Sequence, residues 1–471
     1  MRRRRISLAG PLGVLLLCFP WGTLAASSQP TVRSLPNGLS VIIEEDHSAP
    51  VVAMQYWVKA GSRTEQDREA GITHLIEHMI FKGTEKSKAG ELAWTIESLG
   101  GSINAYTTPD YTVYHVTIAS RFARQGMEVL TDAIQHATFD SQELDQEKKV
   151  VLEELRMGED RPQVRLQKAL FAEIYKVHPY RRPVIGYPET VSSFTREDLL
   201  AYVNRLYVPE NMTLILTGDL DSNTALGWAE ELWGEWRRRR EPPVQVEQEP
   251  SQHGIRTVLL KQRTSEAHLR LAFPIPGAAH PDVPALDLLA MVLGEGESSR
   301  LDQRLRAQSG LVHSVGSESY TPLDPGLFQV HARLDPAHLV SAIGSILEEL
   351  QRVKADGVSV GELHKARLQV EASLIQARET MGGKARVLGQ FLMLHGDISK
   401  EREYLEAIRS VTPQDIRRVA KEYLSWERLT VAALLPQESP QEINQERLTE
   451  VLARIKDLKA PASSPVGPPS R

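Results

Sequence analysis

Three side chains within five residues define the chemistry open to this chain. His74, Glu77 and His78 stand in the order H-x-x-E-H inside the stretch GITHLIEHMIFKGT, residues 71–84. On a helix, two histidines four apart share one face, one turn from each other. Neutral imidazoles so placed make a good pair of ligands for Zn²⁺. Glu77 lies beside both but is angled away, so it can reach a water rather than the metal. Leu75, Ile76, Met79 and Ile80 surround the trio with apolar side chains. That predicts a buried helix, on which three unpaired polar groups would be costly. Short patterns also arise by chance, with His and Glu making only local hydrogen bonds, so the neighbouring elements must decide.

A histidine pair needs a third ligand. Residues 141–157 (SQELDQEKKVVLEELRM) read as an amphipathic helix with Leu144, Val151 and Leu155 as its apolar stripe. Glu147 and Glu154 are seven apart and share one face, whereas Glu153 is rotated from it by about 100°. A carboxylate on this helix can complete a His₂Glu set and leave the fourth position to water. Taken alone, Glu147 and Glu154 read as solvated helix charges. Beside a histidine pair in want of a ligand, Glu154 becomes a candidate.

A base also needs a substrate held beside it. Residues 100–114 (GGSINAYTTPDYTVY) predict two strands with a turn at Pro109-Asp110. Small residues at Gly100, Gly101 and Ala105 would let another backbone approach closely. An exposed edge strand here would pair with an extended peptide, although from these residues alone an ordinary hairpin is the favoured reading.

The remaining elements fall in order. Residues 32–45 predict a hairpin about Asn37-Gly38, 50–60 a long strand, and 90–99 and 121–136 helices. A helix follows Arg161-Pro162 to about 177, then a loop through 183–188, a helix over 197–206, a buried strand over 212–218 and a helix over 222–236. Residues 237–254 are charged and proline-rich, without apolar periodicity, and mark a linker. This divides a first domain, 27–236, from a second, 255–436. The second repeats the order of the first: strands at 257–260 and 268–273, a helix at 283–293, a short helix at 299–307, strands at 312–320 and 327–334, long helices, and a strand at 429–435. At the position of the H-x-x-E-H helix it reads VPALDLLA, residues 283–290, with neither His nor Glu. Residues 437–471 read as a polar helix and a Pro/Ser-rich tail. The fold class expected is α+β, with two homologous domains, each a mostly antiparallel sheet packed with helices.

The chain has 471 residues, of which 41% are hydrophobic and 25% charged, and a net charge of −6. This is globular, large enough for two domains, and carries no basic footprint for nucleic acid. Residues 1–26 read as a secretory signal peptide: Arg2 to Arg5, a short apolar core, then Ala25-Ala26. Export is expected, with the periplasm as destination. The lone cysteine, Cys18, lies in that segment, so a metal in the mature chain must be held by His and carboxylate.

Together these motifs resemble the M16 family of zinc metallopeptidases, which bears the inverzincin signature H-x-x-E-H, and most of all its processing-peptidase-like branch. The resemblance covers nearly all of the mature chain. It implies one Zn²⁺ per chain on His74, His78 and Glu154, Glu77 as general base, and Glu147 as a supporting carboxylate. It also implies that the strand through Asn104, Ala105 and Thr107 binds substrate, and that two halves face each other around a chamber. The implied activity is endopeptidase cleavage of peptides or unfolded segments by a metal-activated water. The family's inactive half supplies an Arg and a Tyr, seven apart. Here Arg306 is present, but His313 stands at the tyrosine position. Either His313 substitutes, or a partner supplies the complete pair, in a homodimer or a heterodimer with a zinc-less subunit. The rival expectations are a non-catalytic, peptide-binding or structural subunit, and a metal-storage protein.

Overall fold

The computed structural model describes residues 29–236, 245–439, 446, 448–450 and 452. The expected signal segment, residues 237–244 of the linker and most of the 437–471 tail lie outside the described residues. Among the described residues, no helix is long and apolar enough to cross a membrane.

The first half opens with a hairpin, β1 (Thr31–Ser34) and β2 (Ser40–Glu45), turned at Asn37-Gly38. There follow β3 (Val51–Val58), α1 (Ile72–Met79), α2 (Glu91–Ser98), β4 (Ser102–Thr107), β5 (Thr112–Ala119), α3 (Ala123–His136), α4 (Ser141–Glu159) and α5 (Pro162–Ile174). The half ends with α6 (Pro188–Ser193), α7 (Arg196–Leu206), β6 (Met212–Gly218) and α8 (Ser222–Trp233). The second half contains β7 (Arg256–Gln262), β8 (Ala267–Ile275), α9 (Val283–Gly294), a π-helical segment (Asp302–Gln308), β9 (Ser314–Tyr320) and β10 (Gly326–Leu334). It closes with α10 (Leu339–Asp356), α11 (Val360–Ala377), α12 (Met381–His395), α13 (Lys400–Ser410), α14 (Pro413–Tyr423) and β11 (Thr430–Pro436).

The repeat expected from element order is present in the topology. One sheet runs β1-β2-β6-β3-β5-β4, the other β7-β11-β8-β10-β9. Without β1 the two orders correspond strand for strand. In each sheet the first and last strands in sequence of that shared set pair in parallel, β2 with β6 and β7 with β11, and the other pairs are antiparallel. The short α6 was not expected; it starts at the last residue of the expected loop and fills part of the gap before the helix expected at 197–206.

Strands such as VVAMQYWV are apolar on both faces, so each sheet must be covered on both. Val52, Met54, Tyr56 and Val58 of β3 face the core formed with α1, α3, α7 and α8. Trp57, on the opposite face, packs with Ile42, Ile215 and Val113 under Ala385, Leu388 and Met393 of α12, a helix of the second half. In return, Leu166, Leu170 and Ile174 of α5 cover Ala272, Leu327, Ala432 and Leu434 of the second sheet. The exchange is close: a Cβ on Gly389 would lie 2.1 Å from the Trp57 indole. The halves also meet at a polar junction. Asp324, in the β9–β10 turn, receives Arg63 Nε, with His178 Nε2 3.0 Å from the same oxygen. Asp110, in the β4–β5 turn, accepts from the Leu323 amide at 3.0 Å and from the Tyr180 hydroxyl at 2.6 Å.

Candidate metal centre

Helix α1 is anchored before it begins. Gly71 takes φ 94°, and a Cβ there would lie 2.7 Å from the Ile185 carbonyl oxygen. The buried Glu65 carboxylate accepts the Gly71 and Thr73 amides at 3.0 Å each, satisfying donors that a helix start leaves free. Burial pushes its pKa up to about 7. The Thr73 hydroxyl lies 2.6 Å from that of Tyr202. Leu75, Ile76, Met79 and Ile80 are fully buried, as their pattern predicts.

The polar face of α1 meets α4. His74 Nε2 and His78 Nε2 each lie 3.9 Å from Glu154 Oε2, and the imidazole centroids are 4.7 Å apart. One ligand atom from each of the three residues falls within 4.8 Å of the others. With zinc bonds of about 2 Å, such atoms can share one ion after small side-chain rotations. Glu153, which the helical period turned away, is exposed and paired with Arg156 at 2.6 Å.

The residues fit a divalent metal. Burial, and then the neighbouring His78, lower the His74 pKa to about 4, so its lone pair is free at neutral pH. His74 Nδ1 is buried without a hydrogen-bond partner among the described residues, so no hydrogen bond there fixes the ring. His78 is oriented by Glu147, whose Oε2 lies 3.1 Å from Nδ1. A proton on Nδ1 donates to that carboxylate and leaves the Nε2 lone pair facing Glu154, the way an outer carboxylate selects a ligand tautomer. Burial alone would raise the Glu147 pKa, but His78 and Lys82 outweigh it and hold it below the ordinary value.

Glu77, beside the ligand residues, reaches the sheet edge. Thr107 Oγ1, on β4, donates to Glu77 Oε2 at 2.5 Å. Burial raises the Glu77 pKa, opposed by Thr107 and His78. Among the described residues β4 is an outer strand of its sheet, with β5 on one side only. The Ala105 amide donates to Asn104 Oδ1 at 2.8 Å rather than to β5, which places that amide on the free edge. Of the three expected substrate-strand residues, Asn104 and Ala105 therefore lie at the open edge, while the Thr107 hydroxyl is engaged with Glu77. At Gly101 the backbone that approaches closely is that of β5. A Cβ there would lie 2.9 Å from Ile96 and 3.0 Å from the Thr117 oxygen, so its small size serves the packing of its own half.

Arg306 and His313 are not brought into contact with this group among the described residues. Arg306 forms two hydrogen bonds to Asp302, at 2.7 and 2.8 Å. His313 Nδ1 lies 3.1 Å from Glu266 Oε2. Two participants were missed in the sequence. Glu65 and Lys82 flank the motif, but nothing local signals their partners. The side-chain contact of Thr107 depends on how α1 crosses β4.

Beside the ligands, α4, α5 and the loop at Pro183, Val184 and Ile185 enclose a cleft of about 430 Å³, with His74, Thr107 and Glu154 in its wall.

Known proteins resemble this chain in sequence and in fold. The family model described as "Insulinase (Peptidase family M16)" matches residues 40–187, and that described as "Peptidase M16 inactive domain" matches residues 193–370. An uncharacterized zinc protease of Bacillus subtilis, YmxG, is 30% identical over 400 residues, covering 85% of this chain and 97% of its own. A protease of Helicobacter pylori of known structure superposes with a TM-score of 0.83 at 26% identity, covering 87% of this chain and all of that one. A Pseudomonas fluorescens structure described as a peptidase M16 inactive domain shares the fold at a TM-score of 0.81 and 19% identity, covering 88% of this chain and 100% of its own. With both halves matched in order and a relative aligned over nearly its whole length, this chain belongs to the M16 peptidase family.

Proposed function

We propose that the protein is an exported, zinc-dependent endopeptidase that cleaves peptides or unfolded polypeptide segments. The observation that carries this reading is the convergence of His74, His78 and Glu154 beside Glu77, with Glu77 held from an open strand edge by Thr107. One Zn²⁺ on the three ligands would polarise the scissile carbonyl and acidify water. Glu77, its basicity raised by burial, takes the proton from the attacking water and delivers it to the leaving amine. Thr107 orients the carboxylate for both transfers. Glu147 holds His78 in its ligating tautomer. The free edge of β4 aligns the substrate by backbone pairing, its carbonyl displacing Asn104 from the Ala105 amide. Arg306, with His313 or with an Arg/Tyr pair from a partner subunit, stabilises the developing oxyanion once the present contact to Asp302 is exchanged. Export to the periplasm rests on the character of residues 1–26.

The test is digestion of a mixed peptide pool by the purified mature chain, read by mass spectrometry, with Glu77→Gln as control and zinc measured in both. Cleavage by the parent alone, with about one zinc in each, is the expected result. Equal cleavage by Glu77→Gln would overturn the base assignment. A zinc-loaded parent that cuts nothing on its own would direct the search to a partner subunit.

A further inference from the structure

The cleft beside the ligands has a charge that the proposed chemistry leaves unused. Apart from His74 and Glu154, its charged lining residues are Arg161 and Lys168, and the rest of its wall includes Met157, Val164, Val184 and Ile185. Where α4 ends and α5 begins, each acid has a basic partner. Arg156 joins Glu153 and Asp160, while Lys168 and Arg165 join Glu159. Arg161 is left over. It is exposed, and its guanidinium has no hydrogen-bond or ion-pair partner among the described residues. The wall opposite is firm, since Gly186 lies against the start of α1 so closely that a Cβ would come within 2.3 Å of the Ala70 oxygen. A pocket with one spare cation, an apolar wall and the metal ligands in its lining suits one kind of side chain: a short aliphatic stem ending in a carboxylate.

Resting on the peptidase reading, we propose that this cleft is a specificity subsite for an aspartate or glutamate flanking the scissile bond, with Arg161 as its counter-ion. A lysine or arginine there would meet Arg161 as a like charge, which selects against basic residues as strongly as it selects for acidic ones. The substrate class is therefore peptides with an acidic residue beside the cut.

Binding can be read apart from cleavage. Labelled decapeptides of Ala, Ser and Leu, with Glu, Gln or Lys walked through each position, are titrated by fluorescence anisotropy into Glu77→Gln protein, alone and combined with Arg161→Glu or Arg161→Lys. At one register the Glu peptide should bind about three- to tenfold tighter than the Gln peptide, and the Lys peptide weaker still, the range for a partly exposed, charge-assisted contact. Arg161→Glu should reverse that order and Arg161→Lys retain it. Affinities independent of the residue at every register, or an order that survives Arg161→Glu, would overturn the subsite. The same peptides are offered to the enzyme with Glu77 intact. Binding preference without hydrolysis would support the subsite and count against hydrolysis by this chain on its own; hydrolysis indifferent to Glu would support the peptidase reading and overturn the subsite.

Discussion

Helices α1 and α9 hold the same place in two sheets of matching strand order, and they do opposite things. α1 presents His74, Glu77 and His78 toward α4 and the edge strand β4. α9 is buried along nearly its whole length and bears one carboxylate, Asp287. A Cβ on Gly294 would lie 2.0 Å from the Ser317 amide nitrogen, and Ser317 Oγ donates to the Ala290 carbonyl at 2.8 Å. So α9 lies directly on the backbone of β9, whereas α1 reaches its edge strand through a Glu77–Thr107 side-chain contact. The difference teaches that the scaffold does not itself make a site. A helix laid against an edge strand yields one only where polar side chains hold the two apart, and with apolar ones the same place closes into core.

The contrast can be broken by four substitutions. The largest effect belongs to Glu77→Gln, expected to lower peptide hydrolysis by about 10³-fold, while Asp287→Asn leaves the rate within about twofold. Comparable losses from both would mean the second half takes part in the chemistry. Glu147→Gln should next weaken zinc binding by roughly 10- to 100-fold in competition with a chelator, as expected for a carboxylate that orients a ligand. Unchanged affinity would return Glu147 to a structural role.

Asp287→Asn should alter stability rather than rate. Burial pushes this carboxyl up to about 6, against the Tyr404 hydroxyl that donates to it at 2.7 Å. The folded state therefore holds a proton that the unfolded chain releases near pH 4, and stability falls as pH rises between about 4 and 6. Above that window the variant should be the more stable by up to about 3 kcal/mol, with the gap closing toward pH 4. Denaturant titrations at pH 4 and 8 check this, and equal gaps at the two pH values would contradict it.

Asp324→Asn tests the junction that holds the two halves together. Burial would raise this carboxyl, but His178 and Arg63 outweigh it and hold it at about 2. Its contribution is present above the ordinary carboxylate range and is lost as pH falls toward 2. The variant should lose about 1–2 kcal/mol at pH 7, with the difference shrinking below pH 4. A loss of the same size at pH 3 would show that the charge is irrelevant.

Much of this was legible in advance because it is local. The four-residue spacing of His74 and His78, and the seven-residue spacing of Glu147 and Glu154, follow from the helical period alone. The apolar pattern of residues 71–84 correctly made α1 a buried helix, and the missing His and Glu at 283–290 separated the two halves. Other features had no local signal. Glu65 reads as a loop acid until Gly71 and Thr73 are seen donating to it. The covering of each sheet by a helix of the other half could not be read from amphipathicity, which says that a face is buried but not against what. Gly389 is explained only by Trp57, far away in sequence.

The sequence by itself supplied the candidate donors His74, His78 and Glu154, the candidate base Glu77 and the two-fold order of elements, because residue type and helical or strand period are properties of short segments. Only the tertiary structure brought Glu154 within 3.9 Å of both histidines, set Glu147 beside His78, turned Thr107 to Glu77 and left the Arg161 side chain without a partner among the described residues beside the cleft. Each of these depends on how far apart two packed elements stand and how they are rotated. That is set by burying the apolar faces of both against the sheets, a balance summed over the whole chain rather than over any segment of it.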